Sequence, residues 1–254
     1  MKKILLGAAG LAAALSLSAP ASAADLPARP YTKAPAMVAA IYDWSGFYIG
    51  LNGGGGSARK CWDINNNLGA VVAPAFREGC HDATGGMAGG QIGYRWQSAA
   101  WVFGIEAQGD WANFKGSNTS LFFGPAVTNQ TKIDALGLFT GQVGYAWNNV
   151  LWYVKGGAAV TDDKYRGLTA AGVVFDQTND TRWGGTVGTG IEISFAPSWS
   201  VAFEYDHLFM GSHSVTLTSV NGGGLSRTDN IKQDVDIGSV RVNYRWGGPV
   251  IAKY

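Results

Sequence analysis

The chain has 254 residues, a formal net charge of +1 and 15% charged residues, against about 25% in an ordinary soluble domain. It contains 37 glycines, 10 tryptophans and 10 tyrosines. A nearly neutral chain has no basic field to hold nucleic acid, and this composition argues against a disordered chain and a typical cytosolic enzyme. It favours a glycine- and aromatic-rich all-β protein.

The N-terminus carries the features of an export signal. Two lysines precede an apolar run from Ile4 to Leu17, and a small-residue cleavage site ends at Ala23. The run is shorter than the roughly 20 apolar residues that a membrane-spanning helix needs. We predict a cleaved signal peptide over residues 1–23, followed by a proline-rich periplasmic linker over residues 24–43.

The chain has two cysteines, Cys61 and Cys80, which lie in one polar stretch. Export predicts an oxidising compartment, which favours a disulfide between them over two unpaired thiols. His81 is adjacent, but no CxxC spacing supports a metal site.

From Trp44 onward, apolar and polar residues alternate with period two, as in strands with one apolar face. The stretch 101–111, for example, places two tryptophans, a phenylalanine and an isoleucine on one face. The pattern predicts eight strands, at residues 45–54, 86–96, 101–111, 132–147, 151–161, 181–195, 199–209 and 231–246.

The predicted connections alternate between short and long. Short turns at 97–100, 148–150 and 196–198 alternate with polar stretches at 55–85, 112–131, 162–180 and 210–230. Bacterial outer-membrane barrels have this layout, with short periplasmic turns and long extracellular loops. We predict an all-β, eight-stranded antiparallel transmembrane β-barrel over residues 44–246, four long extracellular loops and a C-terminal tail over 247–254. Alternation inside the loops, as at Val215 and Leu217, indicates that some hairpins project beyond the membrane.

Aromatic residues mark one end of every predicted strand. Such rings prefer the lipid–water interface, so they predict a girdle at the short-turn side. The predicted girdle consists of Trp44, Tyr94, Trp96, Trp101, Tyr145, Trp147, Trp152, Phe195, Trp199, Tyr244 and Trp246.

If the apolar faces meet lipid, the opposite faces point into the lumen. An eight-stranded barrel is only wide enough to be filled by its own side chains, so charges of balanced sign predict an ion-pair network rather than a selective pore. The predicted network consists of Arg95, Glu106, Asp110, Lys132, Asp134, Lys155, Arg182, Glu192, Glu204, Asp206, Arg241 and Arg245. Counting back from Arg241 places Asp234 and Asp236 on the outer face, unless a bulge near Gly238 resets the register.

Several segments resemble a known family. They are Trp44–Gly50, Gly93–Trp96, Gly141–Trp147 and Val240–Trp246. The chain is similar to the α-proteobacterial outer-membrane β-barrel surface proteins, also described as porin-family or opacity-like, which include major surface antigens and hemin-binding members. The resemblance implies the outer membrane of a Gram-negative bacterium and assembly by the barrel-assembly machinery. Barrels of this kind usually end on an aromatic residue, so either Trp246 or Tyr254 supplies the assembly signal.

No catalytic constellation is evident in the sequence. His207 and Asp206 lie near the predicted outer rim, but neighbours on a strand face opposite sides, so we predict no enzyme and no resident cofactor. Hemin binding would need axial ligands on the loops, for which His81, His213 and Tyr165 are candidates, with Phe122 and Phe123 as apolar surface.

The leading hypothesis is therefore a structural, surface-exposed barrel. Its loops would contact lipopolysaccharide, host surfaces or other envelope proteins, and its wall would contact outer-membrane lipid. The alternatives are a small-solute porin, which needs a continuous water path, and a hemin-binding protein.

Overall fold

The computed structural model describes residues 42–246, in which eight antiparallel strands close into one barrel in chain order. The predicted signal peptide, the linker up to residue 41 and the tail from 247 lie outside the described residues. The strands are β1 (Gly46–Asn67), β2 (Ala70–Ser98), β3 (Trp101–Thr119), β4 (Val127–Trp147), β5 (Val150–Thr169), β6 (Val174–Ala196), β7 (Trp199–Ser219) and β8 (Leu225–Arg245), with a 3₁₀ turn at Gly124–Ala126. The predicted fold class is confirmed.

Among the described residues, no helix has the length and apolar character needed to cross a membrane.

The strands are much longer than predicted. They run from 19 residues in β3 to 29 in β2, whereas a tilted strand crosses a bilayer with about 9–11. The four stretches predicted as long loops are mostly strand, and residues 68–69, 120–126, 170–173 and 220–224 connect them. The prediction of loops was wrong because these stretches also bury inward side chains. The apolar part of that outer core is Trp62, Tyr165, Val215, Leu217 and Ile231.

The register fixes the tilt of the strands. Following paired residues once around the ring from Trp101 leads through Tyr145, Phe203 and Gly53 to Trp111, ten positions along the same strand. With a rise of about 3.3 Å per residue and strands about 4.8 Å apart, this offset corresponds to a tilt of about 40°. Trp101 and Trp111 are then about 25 Å apart along the barrel axis, the height of an outer-membrane apolar band.

The described structure also contains an interruption in the wall. Between the Gln177–Thr218 pair and the Gly185–Phe209 pair, β6 and β7 form no ladder. Gly211, with φ of +65°, lies in this interval. Side chains bridge the gap: Arg182 Nη2 donates to the Gly211 carbonyl at 3.0 Å, and His213 Nδ1 lies 2.8 Å from Asp180 Oδ2. We call this interval the β6–β7 seam.

Candidate functional site

The short-turn end of the lumen is covered by the residues that precede β1. The Trp44 side chain is 1% exposed, and its indole nitrogen donates to the Asn148 carbonyl at 3.1 Å. The prediction of Trp44 as a lipid-facing girdle residue was wrong, because the chain turns under the barrel before β1 begins at Gly46, whose φ is +126°. Arg245 lies over the Tyr42 ring at 4.6 Å and makes no ion pair within residues 42–246.

The other predicted girdle residues lie on the outer wall. Seven of them are between 44% and 63% exposed, namely Tyr94, Trp96, Trp101, Trp147, Trp152, Phe195 and Trp199. Trp246 is 49% exposed, and Tyr145 and Tyr244 pack edge-on against neighbouring tryptophans. A second ring of exposed aromatic residues, which the sequence analysis did not predict, lies at the opposite edge of the apolar band. It contains Trp111, Phe139, Trp183 and Phe209, all more than half exposed.

The first lumenal ion pair lies just above the Trp44 cap. Arg95 Nη2 is 2.8 Å from Glu192 Oε2, and both side chains are buried. Asn243 donates to Glu192 Oε1 at 3.1 Å, and the Arg95 guanidinium lies 4.4 Å from the centre of the Tyr48 ring. The pair is therefore enclosed by polar and aromatic partners.

The central network occupies the middle of the lumen. Lys155 Nζ lies 2.6 Å from Glu204, 3.5 Å from Glu106 and 3.4 Å from Asp206, and Arg241 binds both glutamates. All these side chains are at most 1% exposed. The two cations thus face three carboxylates, and all five side chains are shielded from solvent.

Two tyrosines complete the central network. Tyr48 and Tyr153 each donate a hydrogen bond of 2.6 Å, to Glu106 and Glu204 respectively. Each ring lies over a glycine: a Cβ on Gly93 or Gly190 would come within 2.5 Å of the tyrosine. These glycines allow the rings to cross the lumen.

An apolar layer separates the central network from the outer half of the lumen. Its large side chains are buried and come from β2, β3, β4, β7 and β8: Met87, Phe114, Ile133, Leu136, Leu138, Leu208, Met210, Val235 and Ile237. The inward positions of Leu136, Leu138 and Leu208 agree with the alternation of the sequence. Hydrocarbon packed inside the lumen at this level opposes the passage of water and ions.

Above the apolar layer lie buried charges that the sequence reasoning missed. Lys60 Nζ is 2.6 Å from Asp163, and Gln233 accepts from both Lys60 and Arg182. Burial lowers the pKa of Lys60 to about 8, although Asp163 opposes that shift. The signal was present, because the inward parity of Arg241 continues along β8 through Gln233 to Arg227.

The outermost cluster surrounds Arg227. Its guanidinium lies 2.8 Å from Glu78, 3.0 Å from Asp176 and 3.5 Å from Asp229, with all four side chains at most 1% exposed. Burial raises the pKa of Asp229 to about 7, and Arg227 only partly counteracts it. One cation therefore holds three carboxylates at the outer end of the lumen.

Four other residues that were predicted for the lumenal network do not join its central part, namely Asp110, Arg182, Lys132 and Asp134. Asp110 accepts from the Gln108 amide at 2.8 Å, and Arg182 binds the Tyr165 hydroxyl and backbone carbonyls. Lys132 and Asp134 lie outside the barrel, so their assignment to the lumen was wrong. A bulge between Ile133 and Ala135 reverses the parity of β4 at this point.

The outer side chains of β3, β4 and β5 above this bulge form a basic row. Lys115 pairs with Lys132 across β3 and β4, and Lys132 pairs with Lys164 across β4 and β5. Asp134 binds both Lys132 and Lys164, the latter at 2.5 Å. Burial opposes its ionisation, but the two lysine hydrogen bonds hold the pKa of Asp134 below its usual value.

The histidines do not assemble a common site. His81, one of the residues considered for hemin, is buried, with Nδ1 at 2.7 Å from Asn118 and Nε2 at 3.1 Å from Thr131. Tyr165 is also buried, whereas His213 lies at the β6–β7 seam. His207 faces outward and contacts Asp236 at 2.7 Å instead of the inward Asp206.

The outward positions of Asp234 and Asp236 follow from the uninterrupted register of β8. Its pairing with β7 runs without a shift from Tyr244 to Asp234, so no bulge occurs at Gly238. Asp236 also accepts a hydrogen bond of 2.5 Å from Tyr205.

The predicted disulfide between Cys61 and Cys80 is present. The two residues lie directly opposite each other on β1 and β2, in the part of the hairpin beyond the apolar band. The bond therefore ties the hairpin together above the membrane.

Comparison with known proteins agrees with this architecture. The chain is 28% identical over 226 residues to the 31 kDa outer-membrane immunogenic proteins of Brucella melitensis and Brucella suis, covering 85% of this chain and 90% of each relative. Among solved structures, the outer membrane protein OprG of Pseudomonas aeruginosa matches with a TM-score of 0.50 and 12% identity, over 80% of this chain and 97% of that one. The outer membrane protease OmpT of Escherichia coli matches with a TM-score of 0.49 and 7% identity, over 81% and 98%. A profile of the outer membrane protein beta-barrel domain matches residues 9–246. The chain therefore belongs to the family of outer-membrane β-barrel proteins and resides in the outer membrane.

Proposed function

We propose that this protein is a closed, non-enzymatic barrel that anchors four β-hairpins at the cell surface, where they contact envelope components or host surfaces. The observation that carries the proposal is the filling of the lumen. From Trp44 to Arg227, the described barrel interior alternates between ionic and apolar layers. A lumen filled in this way serves stability better than transport.

The hairpins support the display part of the proposal. They continue well beyond the apolar band as regular sheet, with an apolar core around Trp62 and a disulfide between β1 and β2. Rigid extensions hold their tips at a fixed distance from the membrane. The Brucella relatives are named as immunogenic proteins, which fits a chain whose hairpins are accessible from outside the cell.

The first test is single-channel conductance of the refolded protein in a planar bilayer. We expect no stable stepwise openings from protein whose folding has been verified by heat-dependent electrophoretic mobility. Frequent, stable openings would instead favour the small-solute porin.

A matched pair of variants tests whether the apolar layer is what closes the lumen to ions. Leu138→Ser places a hydroxyl in the apolar layer, whereas Leu51→Ser changes an exposed residue on the lipid face. If the apolar layer closes the barrel, only the Leu138 variant gains conductance. Equal behaviour of both variants would contradict this role of the layer.

A further inference from the structure

The basic row on the outer wall is unusual for a sheet surface. Lys115, Lys132 and Lys164 stand opposite one another on three adjacent strands, and like charges in directly opposite positions destabilise a sheet. Arg166 follows Lys164 on the same face of β5 and pairs with Gln130 of β4. Four cations are thus concentrated on one side of the barrel.

The charge of the row is only partly compensated. Asp134 binds Lys132 and Lys164, which are each 36% exposed and retain access to solvent. Within residues 42–246, no ion pair involves Lys115 or Arg166. Among the described residues, Asp134 is thus the one carboxylate that forms an ion pair with any of the four cations.

These side chains line a cleft of about 340 Å³ together with Gln130. Its lining thus consists of four cationic side chains and one amide. Such a cleft suits a compact anion that carries several acceptor oxygens.

The position of the cleft identifies the anion. Lys115 lies four residues beyond Trp111 on β3, just above the aromatic level that ends the apolar band. At a rise of about 2.5 Å per residue along a tilted strand, the cleft begins about 10 Å above that level. The phosphorylated head of a lipid in the outer leaflet lies at this depth, beside the wall and not in the lumen.

We propose that Lys115, Lys132, Lys164 and Arg166 form a binding site for the phosphate groups of a lipopolysaccharide molecule whose acyl chains lie against the barrel wall below the cleft. Asp134 binds both Lys132 and Lys164 and leaves each of them partly exposed. The site depends on residence in the outer membrane and not on the hairpin display proposed above.

The test compares lipopolysaccharide binding by the refolded full-length mature chain and two variants. K115Q/K132Q/K164Q removes three cations of the site. The control R59Q/R77Q/K232Q removes three outward cations from β1, β2 and β8, so both variants carry the same charge change. The probes are deep-rough lipopolysaccharide, the same lipopolysaccharide after enzymatic dephosphorylation, and a soluble sulfated polysaccharide. Binding is measured by microscale thermophoresis in detergent, with native mass spectrometry to count bound lipid.

We expect the site variant to lose affinity for intact lipopolysaccharide by about ten-fold or more, while the control stays within about two-fold of the unmodified protein. Dephosphorylation of the lipopolysaccharide should lower its affinity for the unmodified protein by a similar factor. A higher salt concentration should weaken binding of intact lipopolysaccharide to the unmodified protein, but should change binding to the site variant very little. If the site variant fails to fold, the single variants K115Q and K164Q are measured instead.

Equal losses in the site and control variants would overturn the proposal, because the binding would then depend only on net charge. Equal binding of dephosphorylated lipopolysaccharide would overturn it as well. Tighter binding of the sulfated polysaccharide than of lipopolysaccharide would assign the row to a soluble ligand and also refute the lipid site.

Discussion

Replacement of Glu204 by alanine tests the central network directly. Glu204 accepts hydrogen bonds from Lys155 and Tyr153, both at 2.6 Å, and also binds Arg241. Its loss leaves two buried cations with Glu106 and Asp206. Removing one partner of a buried ion pair costs about 3–5 kcal/mol. Because Asp206 already lies 3.4 Å from Lys155 and can take over part of the interaction, we expect a cost near the lower end of that range.

The measurement is urea unfolding of protein refolded in phospholipid vesicles, followed by tryptophan fluorescence. With a denaturant dependence of about 2 kcal/mol per molar urea, a cost of about 3 kcal/mol lowers the midpoint by about 1.5 M. The double variant Glu204→Ala/Asp206→Asn removes the substitute carboxylate and should lose more than the sum of its two single variants.

The matched control is Asp234→Asn. This residue forms an exposed pair with Lys232 at 3.8 Å, and breaking such a pair costs less than about 1 kcal/mol. A midpoint for Glu204→Ala equal to that of the unmodified protein, or equal to that of the control, would refute the interpretation of the lumen as a stabilising ion-pair network.

Three further predictions concern the two ends of the barrel. Trp44→Ala removes the buried cap and should lower stability by about 3–5 kcal/mol, measured as above; an unchanged midpoint would mean that the cap contributes no packing energy. Reduction of the Cys61–Cys80 bond, which closes a loop with a separation of 19 residues, removes a constraint of about 3 kcal/mol on the β1–β2 hairpin. Limited proteolysis should then cut near residues 66–77 while the heat-dependent mobility of the barrel persists, and unchanged cutting would contradict this. Asp229→Asn tests the Arg227 cluster by hydrogen exchange of the outer hairpins. Because burial raises the pKa of Asp229 to about 7 in the fold, its carboxyl destabilises the fold progressively as pH rises from about 4 to 7. The variant should therefore exchange more slowly than the unmodified protein at pH 7.5, and the difference should vanish near pH 4; a difference independent of pH would refute the assignment.

Period-two alternation predicted the barrel because a strand that separates lipid from a polar lumen must obey it at nearly every position. Glu204 and Arg241, for example, face the lumen as the alternation predicts. The rule failed at Lys132 and Asp134, where one bulge exchanges the two faces of β4, and nothing in the local sequence marks that bulge. An alternation pattern within one strand contains no information about how that strand pairs with its neighbours.

Residues outside the membrane were harder to assign. Lys60 and Arg227 were placed in loops because polar composition suggests an irregular segment, whereas their burial depends on partners from other strands. Trp44 was placed among the lipid-facing rings because its type and position fit a girdle, but it precedes the strand and turns inward. The basic row has no signal in the local sequence, because Lys115, Lys132 and Lys164 meet only through pairing across three strands.

The β6–β7 seam divides the molecule into two mechanical parts. Below Gly185 and Phe209 the sheet is a complete ring, in which no strand can leave without breaking ladders on both sides. Between that pair and Gln177–Thr218, the backbones of β6 and β7 are joined only by side chains such as Arg182 and Asp180. Local opening requires less free energy where backbone hydrogen bonds are fewer. The wall can therefore open locally along the seam while the Gln177–Thr218 pair still joins β6 and β7 above it, and such opening leaves intact the ring that seals the membrane.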